Sequence, residues 1–436
     1  MSEWKKVKIG DVCKIVKGTT GIASAEPGKY PLVVTAVERK TCSTYQFDCE
    51  AVCIPLVSSS GHGKKSLNNV HYQSGKFALG TILCAVIPNN SDELDARYLH
   101  QYLQFYKDTV LVPLMKGAAN VSLSMKDIAG VSIPLPPIKR QRELAEMFVS
   151  LQEKQKELFA EFEKQTEYAK QLRKNILQEA IEGKLTADWR KQHPVQKGNP
   201  DYDAEALFDK IQAEKSETKN SKRTVAPIAK DEIPFEIPTG WKWVRLGEIC
   251  SNVVDCPHTT PIKSEVKTNY PCIRTSEIKN GKIEWDSMQY LNYTEYKKRV
   301  SRLIPQVNDI VYAREGAFGD AVLLPTGYEF ALGQRTMLLR VDANHICPKY
   351  VLNSILSPFL YAQALSQNRG ATVGHVNVAD VKNFTLPLPP LAEQKEIVAR
   401  VEQHLQTIAQ LETQIATRET TTKQLMQSIL KDAFGE

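Results

Sequence analysis

One long stretch of the sequence occurs twice, at a constant offset of 253 residues. Residues 117–185 begin GAANVSLSMKDIAGVSIPLPPIKRQRELAEMFVSL, and residues 370–436 begin GATVGHVNVADVKNFTLPLPPLAEQKEIVARVEQHL. A shorter match lies upstream of each copy, where WKKVKIGDVC (4–13) corresponds to WKWVRLGEIC (241–250). Because a unit of this length is far too long for a solenoid repeat, the sequence predicts one globular domain and one long helix, twice.

Each copy contains a proline-rich run followed by a helical pattern. Proline removes a backbone donor and restricts the residue before it, so the first helix is expected to start near Ile138. Apolar residues then recur at alternating spacings of four and three, which is typical of a coiled coil whose few polar positions pin the register. The predicted seam is Leu144, Phe148, Leu151, Gln155, Leu158, Phe162, Gln165, Ala169, Leu172 and Ile176 in the first copy, and Ile397, Val401, His404, Ile408, Leu411, Ile415, Arg418, Thr422, Leu425 and Ile429 in the second.

The duplication predicts an α+β fold in which two pseudo-symmetric α/β domains are held apart by a long antiparallel two-helix coiled coil. A direct repeat of domain and helix closes on itself with approximate two-fold symmetry if the helices run in opposite directions. The predicted boundaries are 1–137 for the first domain, 138–185 for the central helix, 186–235 for a linker with a short helix, 236–390 for the second domain and 391–436 for the last helix. Residues 94–109 are expected to form a packing helix with buried tyrosines.

Charge and cysteine content favour an intracellular protein that contacts a polyanion. Residues 1–137 hold 15 Lys/Arg against 11 Asp/Glu, and residues 240–390 hold 17 against 13, so each domain is weakly basic. The nine cysteines form no CxxC pair, which suits a reducing cytoplasm. The sequence contains no apolar run that approaches the roughly 20 residues of a membrane span, and its start does not resemble a signal peptide.

The sequence offers no catalytic constellation. GHGKKS (61–66) resembles the end of a phosphate-binding loop, but Ser58 stands where that motif needs glycine and Lys65 where it needs Ser or Thr. The motifs GxSxG, HExxH and a strand-linked GxGxxG are absent from the sequence. Cys49 and Cys53 do not have the spacing of a common structural zinc site with the nearby histidines, so no metal is expected.

The domains offer polar and basic loops interleaved with glycine, and these loops differ most between the two matched frames. Arginine suits guanine, Gln or Asn suits adenine, and Lys, Ser and Thr mostly hold phosphates. Loops that differ between two otherwise matching domains are expected if the two domains recognise different DNA sequences. The candidate DNA-binding residues are Lys17, Thr19, Thr20, Ser59, His62, Lys64 and Lys65 in the first domain, and His258, Thr259, Thr260, Arg274, Thr275, Arg314, Gln334, Arg335 and Arg369 in the second.

Nearly the whole chain resembles the specificity subunits of type I restriction-modification systems. The resemblance rests on IPTGW with WVRLGEIC, on REGAFGDAVLL and LGQRTMLLRV, on both LPLPP-type junctions, and on KNILQEAIEGKL with its partner QSILKDAF. PLPPLAEQKEIV (387–398) is especially specific, and the first copy departs from it mildly at Lys139 and Arg140.

That resemblance implies that the two domains are target-recognition domains, each reading one half of an interrupted double-stranded DNA site. It implies a non-catalytic chain that directs adenine-N6 methylation or restriction by two methyltransferase subunits and two motor-nuclease subunits, with no membrane involved. S-adenosylmethionine, ATP and Mg would belong to those partners, and this chain would hold no cofactor. The residues expected on the partner-docking helices are Leu144, Leu151, Leu172, Ile176, Ile397, Leu411, Leu425 and Ile429.

Two other interpretations stay open on the sequence. One is a stand-alone sequence-specific DNA-binding regulator, which would bind its site tightly without partners. The other is a coiled-coil scaffold whose domains bind peptides, which would have no salt-dependent affinity for DNA. A self-sufficient methyltransferase is disfavoured, because the chain contains neither the cofactor loop nor an NPPY/DPPY-type motif.

Overall fold

The described chain divides into two units, and each of the two long helices contributes to both. The computed structural model describes residues 4–60, 63–218, 227–317, 319–367 and 375–434. Unit 1 comprises the residues up to 163 and from 416 onward, and unit 2 comprises residues 164–415. Among the helices described, none is long and apolar enough to cross a membrane.

Unit 1 is built on short, mainly antiparallel strands. They are β1 Lys6–Lys8, β2 Cys13–Lys17, β3 Tyr30–Val33, β4 Lys40–Cys42, β5 Phe47–Asp48, β6 Ala51–Pro55, β7 His71–Gln73, β8 Lys76–Leu79, β9 Leu83–Pro88 and β10 Ser132–Pro134. One sheet has the order β2-β9-β6-β7 and a second has the order β4-β3-β8-β5, while β1 pairs with β10. All these pairs are antiparallel except β3 with β8.

The helices of unit 1 cover the first sheet. They are α1 Ile9–Val12, α2 Ala96–Val110, α3 Met125–Ala129 and the first part of α4 Ile138–Ile181. The Asp95 carboxylate caps α2 by accepting hydrogen bonds from the N–H groups of Arg97 and Tyr98. Tyr98, Tyr102 and Tyr106 are buried in the same cluster as core residues of β6 and β9. This confirms the prediction of a packing helix with buried tyrosines.

Unit 2 repeats the arrangement with longer connections. Its strands are β11 Lys242–Arg245, β12 Cys250–Asp255, β13 Pro271–Ile273, β14 Ile278–Lys279, β15 Lys282–Ile283, β16 Gln289–Tyr290, β17 Ile310–Ala313, β18 Ala321–Leu323, β19 Ala331–Leu332, β20 Thr336–Val341 and β21 Thr385–Leu388. Its helices are α5 Ala187–Gln192, α6 Ala204–Thr218, α7 Leu246–Ile249, α8 Tyr293–Arg299, α9 Pro348–Ile355, α10 Pro358–Ser366, α11 Val378–Asn383 and part of α12 Leu391–Ala433. The sheet order β12-β20-β17-β18 matches β2-β9-β6-β7 of unit 1, and β11 pairs with β21 as β1 pairs with β10. The remaining sheets have the orders β16-β13-β19 and β14-β15.

A buried glutamine fixes the start of each long helix, in the same way in both units. Gln141 accepts a hydrogen bond from the Asp95 N–H (2.8 Å) and donates to the Pro136 carbonyl (2.8 Å). Gln394 accepts from the Cys347 N–H (2.9 Å) and donates to the Pro389 carbonyl (3.0 Å). Both side chains are fully buried. Because Asp95 and Cys347 are the N-caps of α2 and α9, each glutamine ties a long helix to the packing helix of its own unit.

A matched pair of glycines allows the short helices α1 and α7 to pack closely. A Cβ at Gly10 would lie 3.0 Å from the Cβ of Ala129 in α3, and one at Gly247 would lie 3.0 Å from the Cβ of Lys382 in α11. The repeated sequence IGDV and LGEI therefore has a packing reason for its glycine.

Within each unit, α4 and α12 run antiparallel. In unit 1 the ring centroids of Phe148 and Phe434 lie 4.8 Å apart, while Lys423 lies over the ring of Phe159, so residue numbers rise in one helix as they fall in the other. In unit 2 the helices have the same antiparallel direction. Arg173 forms an ion pair with Glu412 (3.4 Å), and the core cluster joins the later residues of α4 to the first turns of α12. The helices begin at Ile138 and Leu391, as the sequence predicts.

The predicted seam of the long helices is partly wrong, because six of its twenty positions are exposed. The predicted positions Phe148, Phe162, Ala169, Ile176, Ile397, Val401 and Ile408 are buried, as expected of a seam. Leu158, Leu172, Leu411 and Leu425 are 43%, 45%, 43% and 58% exposed, and His404 and Arg418 are exposed as well. After each exposed position the next residue is partly buried: Phe159, Arg173, Leu405, Glu412, Glu419 and Met426. Long side chains such as Arg173 cover the seam with their apolar stems, a role that a count of apolar residues does not register.

The segment between the two copies is more structured than predicted. The predicted short helix near residues 201–215 is α6, whereas α5 was not predicted. The buried Glu393 carboxylate at the start of α12 accepts hydrogen bonds from Thr186 Oγ1 (2.7 Å), Arg190 Nη1 (2.5 Å) and Trp241 Nε1 (2.7 Å). This network ties the segment before α5, α5 itself and the entry to β11 to the last helix.

Candidate nucleic-acid interface

In unit 1 the sheet topology brings the predicted loops to one end of the first sheet. Lys17 at the end of β2 pairs with Cys84, and Pro55 at the end of β6 pairs with Leu83, at the start of β9. The segments that follow β2 and β6 therefore leave the sheet side by side. Lys17, Thr19, Thr20 and Ser59 lie on these two segments, together with Lys64 and Lys65.

The segment after β2 is held by its backbone. The Thr19 N–H donates to Gln46 Oε1 (3.0 Å), and Gln46 Nε2 donates to the Lys17 carbonyl (2.9 Å). The backbone N–H of Thr20 donates to the Leu79 carbonyl (3.0 Å). The side chains of Lys17 and Thr19 stay exposed, so the backbone fixes where their donors point.

The segment after β6 is organised by serine hydroxyls. Ser58 Oγ donates to the Lys64 carbonyl (2.5 Å), and Ser60 Oγ lies 2.7 Å from Ser66 Oγ. Ser59 Oγ accepts a hydrogen bond from the Asn68 N–H (2.9 Å), so this candidate also shapes the loop. Lys64 and Lys65 are exposed at the tip, whereas His62 lies outside the described residues.

In unit 2 the equivalent sheet end brings together four of the predicted residues. Asp255 at the end of β12 pairs with Met337 of β20, and Ala313 at the end of β17 pairs with Thr336. The segments carrying His258, Arg314, Gln334 and Arg335 therefore meet there, as shown by the bond from the Arg314 N–H to the Arg335 carbonyl (2.8 Å). Gln334 Nε2 donates to the His258 carbonyl (2.8 Å).

Two of the predicted arginines, Arg314 and Arg274, form ion pairs and hydrogen bonds within unit 2. Arg314 is only 6% exposed, forms an ion pair with Asp255 and donates through Nε to the Val376 carbonyl (3.2 Å). Arg274 forms an ion pair with the fully buried Glu277 and also donates to the Ser287 carbonyl (3.2 Å). Both guanidinium groups therefore hold their own loops in place, and the DNA contacts predicted for Arg314 and Arg274 stay predictions.

The remaining candidates of unit 2 are accessible to different degrees. His258, Thr259, Thr260 and Arg335 are exposed, and Gln334 is half-buried. Thr275 is half-buried at the start of a short 3-10 turn, Thr275–Glu277. Arg369 lies outside the described residues.

Arg299 of α8 is a buried cation that sequence reasoning missed. Its guanidinium donates to the carbonyls of Pro257 (3.1 Å), Thr259 (3.0 Å) and Leu332 (2.8 Å). The residue is 4% exposed. It therefore fixes both the His258 segment and the end of β19. In the sequence it is one of three consecutive basic residues on a helix, a pattern that indicates a solvated face.

A second missed signal is the tetrapeptide FALG, which occurs at Phe77–Gly80 and again at Phe330–Gly333. In both units it leads into the central strand of the four-stranded sheet. The next two residues differ: Thr81 and Ile82 in unit 1, Gln334 and Arg335 in unit 2. Comparing the copies immediately after the shared FALG would have identified this pair as a point where the two frames diverge.

Two histidines in unit 1, His71 and His100, have lowered pKa values. Burial, together with the nearby Arg39, lowers the pKa of His71 to about 4. Burial also lowers the pKa of His100, whose Nε2 lies 3.0 Å from the Val70 carbonyl oxygen. Burial raises the pKa of the Cys53 thiol, and Cys53 pairs with His71 across β6 and β7.

In unit 2, Glu214, Asp342 and His345 place ligand-type atoms within 4.8 Å of one another. His345 Nε2 lies 2.9 Å from both carboxylate oxygens of Glu214. This contact joins α6 to the loop after β20.

The two units share a sheet topology and present different polar loops at matching sheet ends. This arrangement is typical of a binding protein with two recognition domains. Comparison with known proteins gives its family. The type I restriction modification DNA specificity domain matches residues 1–167 and 238–418, and the chain belongs to this family. The family is the non-catalytic DNA-recognition component of type I restriction-modification systems, and its members work with methyltransferase and restriction subunits.

Individual relatives are distant but extend over most of the chain. The specificity subunit of the type I restriction enzyme EcoDI from Escherichia coli is 23% identical over 99% of this chain and 88% of its own length. The MjaVIII specificity subunit from Methanocaldococcus jannaschii is 21% identical over 92% of this chain and 85% of its own.

Solved structures share the fold. A chain from a type I restriction-modification system, in a study of its complex assembly and conformational transition, superposes with a TM-score of 0.62 at 17% identity and covers 100% of this chain and 98% of its own. The HsdS subunit from Thermoanaerobacter tengcongensis gives a TM-score of 0.54 at 16% identity, over 99% of this chain and 97% of its own. These likenesses confirm the predicted fold class.

Proposed function

We propose that this chain reads a bipartite, interrupted DNA site, one half with each unit, and directs adenine-N6 methylation or restriction by partner subunits. One observation carries the proposal: the same end of the same sheet carries the divergent loops in both units. In unit 1 this end presents Lys17, Lys64 and Lys65, and in unit 2 it presents His258 and Arg335.

The chemistry of these sheet ends suits a duplex. Lys64 and Lys65 in unit 1 and Arg335 in unit 2 are exposed cations, and Thr259 and Thr260 of unit 2 are also exposed. Phosphate contacts from such groups position a protein on DNA, while base edges are read by arginine and amide side chains. Because each unit offers few cations, each alone is expected to bind weakly at physiological salt, and strong binding requires both halves of the site.

The long helices offer surfaces for the partner subunits. Leu158, Leu172, Leu411 and Leu425 are between 43% and 58% exposed, which is unusual for leucines spaced two heptads apart on each helix. We infer that they contact two methyltransferase subunits, and that two motor-nuclease subunits join the complex. Of the residues expected on these helices, Leu144, Ile176 and Ile397 are buried within their own units and Leu151 and Ile429 are partly buried, so the docking surface depends on the exposed leucines.

The cofactors are assigned to the partners. S-adenosylmethionine, ATP and Mg serve methyl transfer and the motor-nuclease, and we propose that this chain binds none of them. We place the complex in the cytoplasm, where a restriction system meets incoming DNA, and the nine free cysteines accord with a reducing compartment.

Methylome sequencing tests the proposal. The chain is expressed with a type I methyltransferase subunit from the same host, and adenine methylation is mapped with and without the chain. The proposal expects methylation at one interrupted site only when the chain is present. Methylation that is unchanged by the chain would contradict the proposal.

Binding by the purified chain separates the remaining interpretations. A stand-alone regulator would bind its site tightly without the methyltransferase, whereas a peptide scaffold would show no DNA affinity that falls as salt rises. The proposal expects salt-dependent binding that tightens on addition of the methyltransferase.

A further inference from the structure

Arg335 has a backbone conformation that arginine rarely adopts. Its φ is +68°, and the other positive-φ residues in the described chain, apart from glycines, are Asn280 and Asn308. Asparagine tolerates this region, but for arginine the left-handed conformation costs about 1 kcal/mol or more. Such strain persists only where the surroundings fix it, and it concentrates at ligand-binding positions.

The surroundings of Arg335 do fix it. The Gly333 N–H donates to the Ile273 carbonyl (2.7 Å), and Thr336 Oγ1 donates to the Gly333 carbonyl (2.9 Å). A Cβ on Gly333 would lie 2.3 Å from Arg274 Cγ, so only glycine fits in this turn. The turn presents Arg335 at the sheet end with 59% of its side chain exposed.

The guanidinium is held on one side and open on the other. Arg335 Nε lies 2.9 Å from Glu315 Oε2, and Glu315 Oε1 lies 2.9 Å from His375 Nδ1. Glu315 is further fixed by a β-bridge to His375. Among the described residues, the two Nη groups of Arg335 have no partner. The pair therefore presents two parallel N–H donors beside a carboxylate acceptor.

We propose that Arg335 and Glu315 together read one G·C base pair in the half-site bound by unit 2, an inference that rests on the proposed function. The Nη groups of Arg335 donate to guanine O6 and N7 in the major groove, and a carboxylate oxygen of Glu315 accepts from cytosine N4. A phosphate contact is disfavoured, because the Glu315 carboxylate beside the guanidinium would repel a phosphate. Unit 1 has Ile82 at the position of Arg335, so its half-site is not read in this way.

The test uses the complete chain with its methyltransferase on a DNA library randomised across both half-sites. The main variant is Arg335→Gly, since glycine suits the positive φ and the variant is expected to fold at least as stably as the parent chain. The expected result is a loss of guanine preference at one position of the second half-site by roughly 5- to 150-fold, the range of one bidentate contact.

Two further variants sharpen the result. Glu315→Gln is expected to relax the preference at the same base pair, because an amide no longer presents a charged acceptor to cytosine. Lys279→Ala, at an exposed lysine of β14, is the matched control and is expected to leave every base preference unchanged.

The possible results distinguish a failure of the proposed base contact from a failure of the proposed function. If the parent chain directs methylation to no defined site, the proposed function fails. If the parent chain is specific but Arg335→Gly weakens methylation equally on all sequences, or changes the first half-site, the inference is overturned and Arg335 is a phosphate contact or a structural residue.

Discussion

Replacing Gln394 by leucine is expected to loosen unit 2 at the start of its long helix. The fully buried side chain accepts a hydrogen bond from the Cys347 N–H (2.9 Å) and donates one to the Pro389 carbonyl (3.0 Å). Leucine has a similar size but makes neither bond, so a backbone donor and a backbone acceptor lose their partner.

The expected magnitude follows from these two orphaned groups. Each unsatisfied buried backbone group costs about 1–3 kcal/mol, so the variant should lose roughly 2–5 kcal/mol after the gain from burying leucine. Gln141→Leu is the same change in unit 1. It removes three bonds, to Asp95, Glu93 and Pro136, and is expected to cost at least as much.

Hydrogen exchange read by mass spectrometry is the assay. Gln394→Leu should speed amide exchange in peptides covering Cys347–Ile355 by at least about 30-fold, since each 1.4 kcal/mol is a factor of ten. Peptides covering α2 should be unchanged, and Gln141→Leu should give the mirror-image result. Gln403→Leu, at an exposed position of α12, is the control and should change stability by less than about 0.5 kcal/mol. Equal exchange in parent and Gln394→Leu chains would refute the role of the glutamine.

Two further predictions concern residues that sequence reasoning missed or misjudged. Arg299→Met keeps the buried stem but leaves the carbonyls of Pro257, Thr259 and Leu332 without their donor. Unit 2 should therefore lose roughly 2–5 kcal/mol of unfolding free energy, measured by urea unfolding with tryptophan fluorescence, and methylation that depends on the second half-site should fall as well. An unchanged unfolding midpoint would contradict this prediction. Burial and Arg39 lower the pKa of His71 to about 4 in the folded chain, against about 6.5 in the unfolded chain. Because the unfolded chain then binds the proton more strongly, the free energy of unfolding of unit 1 should fall by about 2 kcal/mol as the pH falls from 7 to 5. His71→Gln should flatten that part of the pH profile measured by hydrogen exchange of β6 and β7, whereas identical profiles would count against it.

The parts of the fold set by local rules could be predicted from the sequence. Proline-rich runs end where α4 and α12 begin, and tyrosines at helical spacing identified the buried face of α2. The seam of the long helices was wrong at six of its twenty positions: Leu158 and Leu172, for example, are exposed, while Phe159 and Arg173 lie partly buried one residue later. A count of apolar residues does not find these partly buried positions, because several of them, such as Arg173, Glu412 and Glu419, are charged.

The candidate site was predictable in place but not in detail. Loop composition selected residues that the structure places at matching sheet ends, yet it treated Arg314 and Arg335 alike. Only tertiary pairing distinguishes them: Arg314 is buried against Asp255, whereas Arg335 is exposed beside Glu315. Buried polar groups such as Gln394 and Arg299 were missed because their partners are backbone atoms distant in sequence.

The central claim is that each unit independently reads one half of a bipartite site. Exchanging residues 250–341 for the equivalent segment of a relative with different specificity, then sequencing the methylome, tests it most directly. The account predicts a new second half-site with the first half and the methylated base type unchanged. A chimera that folds and supports methylation but changes both halves together, or neither, would contradict it.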